Sequence, residues 1–159
     1  MPLLFLDTEF TAFGPGAELL SVAIVSEDGK DEFYAERNDY SQNLCSLFVI
    51  DHVLPLFGQH PEAVCGIAEM RYRLREYLER FPPFMKIASD LNKDLALMRA
   101  LLGEPWPVNI ERERLRLENI EGLNEQLDQL QPECDPQRHH ALHDARALRA
   151  AFLALQSRK

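Results

Sequence analysis

"FLDTEFTAFG", residues 5–14, places two carboxylates, Asp7 and Glu9, inside an apolar run. Side chains alternate along a strand, so residues two apart share a face. Leu3 to Phe10 otherwise reads as a buried strand, and the pair therefore leaves one face of it together. An isolated ionised carboxylate is very costly to bury. Either the pair emerges at the solvent end of the strand, or it faces a cation.

Working outward, "FGPG" closes the strand with a turn signal. "ELLSVAIVS" reads as a central strand, and "EDGK" as a hairpin turn into "DEFYAE". The first 36 residues thus form a three-stranded antiparallel meander. The period then changes. "NLCSLFVIDHVLPLFG" has helical spacing that stops at Pro55 to Gly58, and Pro61 opens a longer helix through "EAVCGIAEMRYRLREYLERF". "FPPFMKIAS" is a short strand. "DLNKDLALMRALLG" is a helix with Asp90 at its start and Gly103 at its end. "WPVNIERERLRLE" holds the last strand, and a C-terminal helix runs from His140 to Leu155. Strands followed by alternating helices and strands argue for a mixed α/β sheet.

The 159 residues are 46% hydrophobic, which suits one domain over 1–159 with one core. No apolar run approaches the roughly 20 residues of a membrane-spanning helix, so no membrane role is expected. "PLLFL" meets Asp7 too early for a signal peptide. Cys45, Cys65 and Cys134 are odd in number and scattered, as free thiols of a cytoplasmic protein are. With 17 Lys and Arg against 26 Asp and Glu, the net charge is −9. That balance disfavours non-specific duplex binding, which runs on neutralising phosphates. Nucleic acid remains compatible if metal ions supply positive charge locally.

The residues that stand out are Asp7, Glu9, Asp90, Asp94 and the run "HHALHDARALRAAF". Asp94 falls in the first turn of a helix, where negative charge suits the helix dipole. His139 and Asp144 lie at the start of the last helix. Carboxylates from three segments plus one histidine are the equipment for two hard divalent cations, Mg²⁺ or Mn²⁺. Two such ions, about 3.5–4 Å apart, clamp the attacking and leaving oxygens of a phosphodiester. His139 would serve as general base, and Asp7, Glu9, Asp94 and Asp144 as ligands.

The order of these motifs resembles the DEDDh group of 3′–5′ exonucleases. "LDTEFT" matches that group's Asp-x-Glu strand, "SDLNKDLALMRALL" its Asp early in a helix, and His139 to Asp144 its His-x4-Asp. The run "FLDTEFTAFGPGAELLSVAIVSEDGKDEFYAE" also resembles a small bacterial exoribonuclease-like branch. The resemblance implies an RNase H-like fold, a five-stranded mixed sheet flanked by helices. It implies a metal-dependent hydrolase acting on single-stranded nucleic acid with a free 3′ end, RNA before DNA. It further implies catalytic roles for Asp7, Glu9, Asp94, His139 and Asp144, and a homodimer by analogy. Phe10, Thr11 and Ala12 are the expected substrate contacts, with Phe10 or Phe13 stacking on the terminal base.

Plainer readings stand beside these. Asp90 is the other candidate for the third carboxylate beside Asp94, and it has a competing reading as a helix N-cap. His139 and His143, four apart, have a spacing that can bind zinc. Phe10 and Phe13 can be ordinary core residues. The same fold can also carry a catalytically silent nucleic-acid-binding protein.

Overall fold

In the computed structural model, which describes residues 1–158, strand β1 (Leu3–Phe10) lies between β2 (Leu19–Ser26) and β5 (Lys86–Ser89). The meander is present: β2 runs antiparallel to β1, and β3 (Glu32–Arg37) antiparallel to β2. The β2–β3 turn closes where Ser26 N–H donates to Asp31 O at 2.9 Å, with Gly29 at φ +74. Strand β5 pairs with β1 in parallel, Phe5 opposite Ala88.

The sheet has six strands, one more than expected, in the order β4 (Val64–Cys65), β3, β2, β1, β5, β6 (Leu115–Arg116). The additional strand is β4 (Val64–Cys65), parallel to β3 at the edge. Its two residues fall where helical spacing puts them in a helix, yet α1 (Ile67–Glu79) starts only after extended Gly66. The Asn38 N–H donates to Cys65 O at 3.0 Å, so pairing with β3 outweighs local propensity. The last strand is also shorter than "WPVNIERERLRLE" suggests. Only β6 (Leu115–Arg116) forms a ladder, with an isolated bridge from Met85 to Ile110.

The expected helix over 43–58 is broken into short turns, Gln42–Leu44, Val49–Val53 and Leu54–Leu56. Pro55 has no N–H to continue a helix and crowds the carbonyl four residues back. Val49 and Val53 still bury against Leu20, which docks this segment over the end of β1 and β2.

Alternation along β1 divides the core. Leu4 and Leu6 join Met70, Leu74 and Leu78 of α1 and Leu95 and Met98 of α2 (Asn92–Leu102). Leu3 and Phe5 join Leu148, Ala151 and Phe152 of α4 (Ala141–Gln156) and Leu123 of α3 (Leu123–Leu130). The expected flanking helices are thus found on both faces. Odd-numbered positions of β1 face α4, so Asp7 and Glu9 continue the row of Leu3 and Phe5 towards the helix that carries Asp144.

Candidate active site

Parallel pairing positions the first cluster. Leu3 faces Lys86, Leu4 faces Ile87 and Phe5 faces Ala88. Continued two residues past the ladder, that register sets Asp90 beside Asp7. Asp94 follows one turn into α2 and is fully buried. Its Oδ1 accepts a hydrogen bond from Thr8 Oγ1 at 2.7 Å. Ligand oxygens of Asp7, Asp90 and Asp94 all lie within 4.8 Å of one another.

A second cluster forms on the α4 side. Glu9, His139 and Asp144 also offer ligand atoms within 4.8 Å of one another. His139 has a left-handed backbone, φ +71, just before α4. That conformation is uncommon for a side-chain-bearing residue. Here it turns the chain into the helix while the imidazole stays on the cleft, edge-on to Phe48 at 4.9 Å between ring centroids. Asp144 occupies the first turn of α4.

Both clusters open on a cavity of about 350 Å³, whose wall includes Asp7, Glu9, Asp90, Arg138, His139 and Asp144. Ala12, Phe10 and Phe13 form one side of it, with Phe48 and Leu127 nearby. Asp94 stands behind this wall.

The electrostatics are those of carboxylates crowded away from water. Burial, then the charges of Asp144, Asp94, Glu9 and Asp90, pushes Asp7 well above the usual carboxylate range. Burial and Asp144 do the same to Glu9. Asp94 is pushed up to about 7 by burial, against the opposing Thr8 hydrogen bond. Asp144 is also pushed up to about 7 by burial, opposed by hydrogen bonds from Gln131 and His139. Burial and the Arg138 guanidinium hold His139 below the ordinary imidazole value. Asp7 Oδ2, Asp90 Oδ1 and Asp94 Oδ2 have no hydrogen-bond partner among the described residues. Oxygen donors of this kind fit a hard divalent cation.

Asp7, Glu9, Asp94, His139 and Asp144 therefore come together from three separated segments. Phe10 and Ala12 line the cavity, whereas Thr11 does not. Thr11 is fully buried, its N–H donates to Glu18 O at 2.9 Å, and its carbonyl accepts from Ser46 N–H at 2.8 Å. Two readings are corrected. Asp90 is not the N-cap of α2; that position is Leu91, with no side-chain cap bond. His139 and His143 do not face each other as a zinc pair. His143 packs on His140 at 5.0 Å, while His139 packs on Phe48. Sequence reasoning missed Gln131, Arg138 and Phe48. The leucines at 123, 127 and 130 had the spacing to announce α3, but nothing local placed its end beside Asp144.

The model of the 3′–5′ exoribonuclease Rv2179c-like domain family matches residues 3–156. The 3′–5′ exoribonuclease Rv2179c of Mycobacterium tuberculosis is 35% identical over 77 residues, which is 48% of this chain and 44% of that protein. The chain thus matches less than half the length of this curated relative. The nuclease domain of 3′hExo, a DEDDh family member solved with rAMP, superposes with TM-score 0.69 at 15% identity, over 98% of this chain and 92% of that one. S. pombe Pop2p, solved with Mg²⁺ and Mn²⁺, superposes with TM-score 0.65 at 14% identity, over 99% and 83%. At these identities the structures establish a shared fold.

Proposed function

The chain belongs to the 3′–5′ exoribonuclease Rv2179c-like domain family, and from that membership we propose that it removes nucleotides from the free 3′ end of single-stranded RNA by metal-dependent hydrolysis. The observation that carries the reading is the meeting of the two ligand clusters, Asp7–Asp90–Asp94 and Glu9–His139–Asp144, at one cavity. Asp7, Glu9, Asp94 and Asp144 would hold two Mg²⁺ or Mn²⁺ ions, with Asp90 beside them. Bound there, such ions lower the pKa of an attacking water and neutralise charge on the phosphate.

The chain's own residues do the rest. His139 is depressed in pKa and hence neutral near neutral pH, the form that accepts a proton. It takes the proton of the water that attacks phosphorus. The bond from phosphorus to the 3′ oxygen of the shortened strand breaks, that oxygen takes a proton from solvent to become the new 3′-OH, and a 5′-mononucleotide is released. Phe48, edge-on to His139, fixes the ring at the cavity wall. Phe13 is 81% exposed at the cavity and stands edge-on to Phe10 at 5.1 Å, a surface for the terminal base. Lys93 Nζ donates to Gly14 O at 3.0 Å and steadies that loop against α2.

The test is a polarity assay on 5′-labelled single-stranded RNA and DNA, with Mn²⁺ or with EDTA. The expected result is a ladder of 3′-shortened RNA that needs the metal and is weaker on DNA. Undiminished cleavage in EDTA, or products shortened from the 5′ end, would refute the proposal.

A further inference from the structure

Asp144 is held by more than its place in α4. Its Oδ1 accepts a hydrogen bond of 2.5 Å from Gln131 Nε2, and its Oδ2 accepts one of 3.0 Å from the His139 backbone N–H. Gln131 caps the C-terminus of α3 and is buried. An ionised carboxylate only accepts hydrogen bonds, so the amide nitrogen is the end of Gln131 that must face it.

Gln131 is itself fixed from behind. Its backbone N–H donates to Leu127 O at 2.7 Å, and its carbonyl accepts from Arg138 Nη1 at 2.8 Å. Arg138 also pairs with Asp128 at 3.4 Å and Glu133 at 3.1 Å. The loop that presents His139 is thereby tied at both ends to the tip of α3. Across this frame, one side-chain amide reaches the carboxylate at the start of α4.

We propose that Gln131 is a positioning residue of the metal site, which orients the Asp144 carboxylate towards Glu9 and His139. The proposal rests on the metal-dependent reading above. Each carboxylate oxygen has more than one lone-pair site. Gln131 and the His139 N–H occupy one on each oxygen, and Asp144 keeps a ligand atom within 4.8 Å of those of Glu9 and His139. Outer partners of this kind fix ligand orientation, and their loss costs about 10–100-fold in metal affinity. A merely structural Gln131 would contribute to stability and leave the affinity for metal unmoved.

Calorimetric titration of Mn²⁺ into the chelator-stripped chain, without RNA, separates the two. Gln131→Met keeps length and volume but removes the donor. Its Mn²⁺ affinity is expected to fall about 10–100-fold, with a single cooperative melt retained in EDTA and turnover restored by excess Mn²⁺. An affinity equal to wild type overturns the proposal and leaves the exonuclease reading standing. A wild-type chain that binds no Mn²⁺ overturns both. Should Gln131→Met fail to fold, the wild-type protein decides. The side-chain amide resonances of Gln131 must then shift as Mg²⁺ is added, and resonances unmoved at saturation overturn the proposal.

Discussion

Asp90 stands beside Asp7 because β1 and β5 run parallel, and the register that pairs Phe5 with Ala88 continues past the end of the ladder. With Asp94 they form a knot of three carboxylates whose oxygens lie within 4.8 Å. Like charges this close disfavour joint ionisation. Burial raises all three proton affinities; repulsion within the knot adds to it at Asp7 and Asp94, and the Glu118 charge adds to it at Asp90. The fold therefore carries a built-in electrostatic cost that a cation relieves.

Metal-free protein should lose stability as pH rises. An acid whose pKa is raised in the folded state binds more protons there than in the unfolded chain, so stability falls as pH climbs through the folded value. Asp94 and Asp144 reach about 7, and Asp7 and Glu9 are also raised. The histidines His139, His140 and His143 shift downward, which acts in the opposite sense below the ordinary imidazole value. The loss from Asp94 and Asp144 therefore runs from about pH 4 to just above 7, and it is least offset between about pH 6.5 and 7.5, where imidazoles are largely neutral in both states. Melting temperature in EDTA should decline across it, and saturating Mg²⁺ should raise it most at the alkaline end. A flat profile in EDTA would contradict the crowded-carboxylate account.

Asp90→Asn should raise the melting temperature in EDTA, because it removes one repelling charge and keeps the shape. It should also weaken Mn²⁺ binding by about 10-fold or more, an effect as large as losing a ligand's outer partner. Asp94→Ala should abolish nearly all turnover and leave the Thr8 hydroxyl without its acceptor. Calorimetry and a nuclease assay on both variants check this. If Asp90→Asn binds Mn²⁺ and turns over like wild type, Asp90 is a bystander.

Asp90 also marks the boundary of what the sequence could tell. Asp7, Glu9, His139 and Asp144 were legible because each sits in a short motif on one element, and alternation or helical position fixes its face. Asp90 is left in the sequence between two readings, a second candidate for the third carboxylate and a cap, since an Asp just before a helix commonly is one. Its true surroundings depend on a pairing register between distant strands, which no local pattern encodes. Gln131 lacks any chemical signature and matters only because α3 packs on α4. The two-residue strand Val64–Cys65 is too short for a period to register. The segment around Phe48 keeps its apolar spacing, but extended Cys45 separates its first turn and Pro55 lies in its last.

His139→Ala should lower kcat about 10²–10⁴-fold, the usual cost of losing a general base, with RNA binding retained. His143→Ala serves as the contrast. Its ring packs on His140 away from the cavity wall, so kcat should stay near wild type. Single-turnover kinetics with a separate binding measurement resolves the two. Equal losses in both variants would point to a shared histidine site in place of one base.

Phe10 and Phe13 should separate cleanly, although both are aromatic and stand edge-on at 5.1 Å. Phe10 is 8% exposed and Phe13 is 81% exposed. Removing a buried ring leaves a cavity, so Phe10→Ala should destabilise the fold by about 3–5 kcal/mol. Removing an exposed ring at the cavity mouth should leave stability nearly unchanged. Base stacking on an aromatic is worth roughly 1–3 kcal/mol, so Phe13→Ala should raise KM about 5- to 150-fold on every sequence alike. Thermal denaturation and steady-state kinetics on oligonucleotides of different 3′-terminal bases test both halves. A substrate blocked at its 3′-OH completes the set, because a terminal base gripped at Phe13 commits the enzyme to free ends. Efficient internal cleavage of that blocked strand, unaffected by Phe13→Ala, would mean that the cavity admits the middle of a chain and that the ring at its mouth does not hold the terminus.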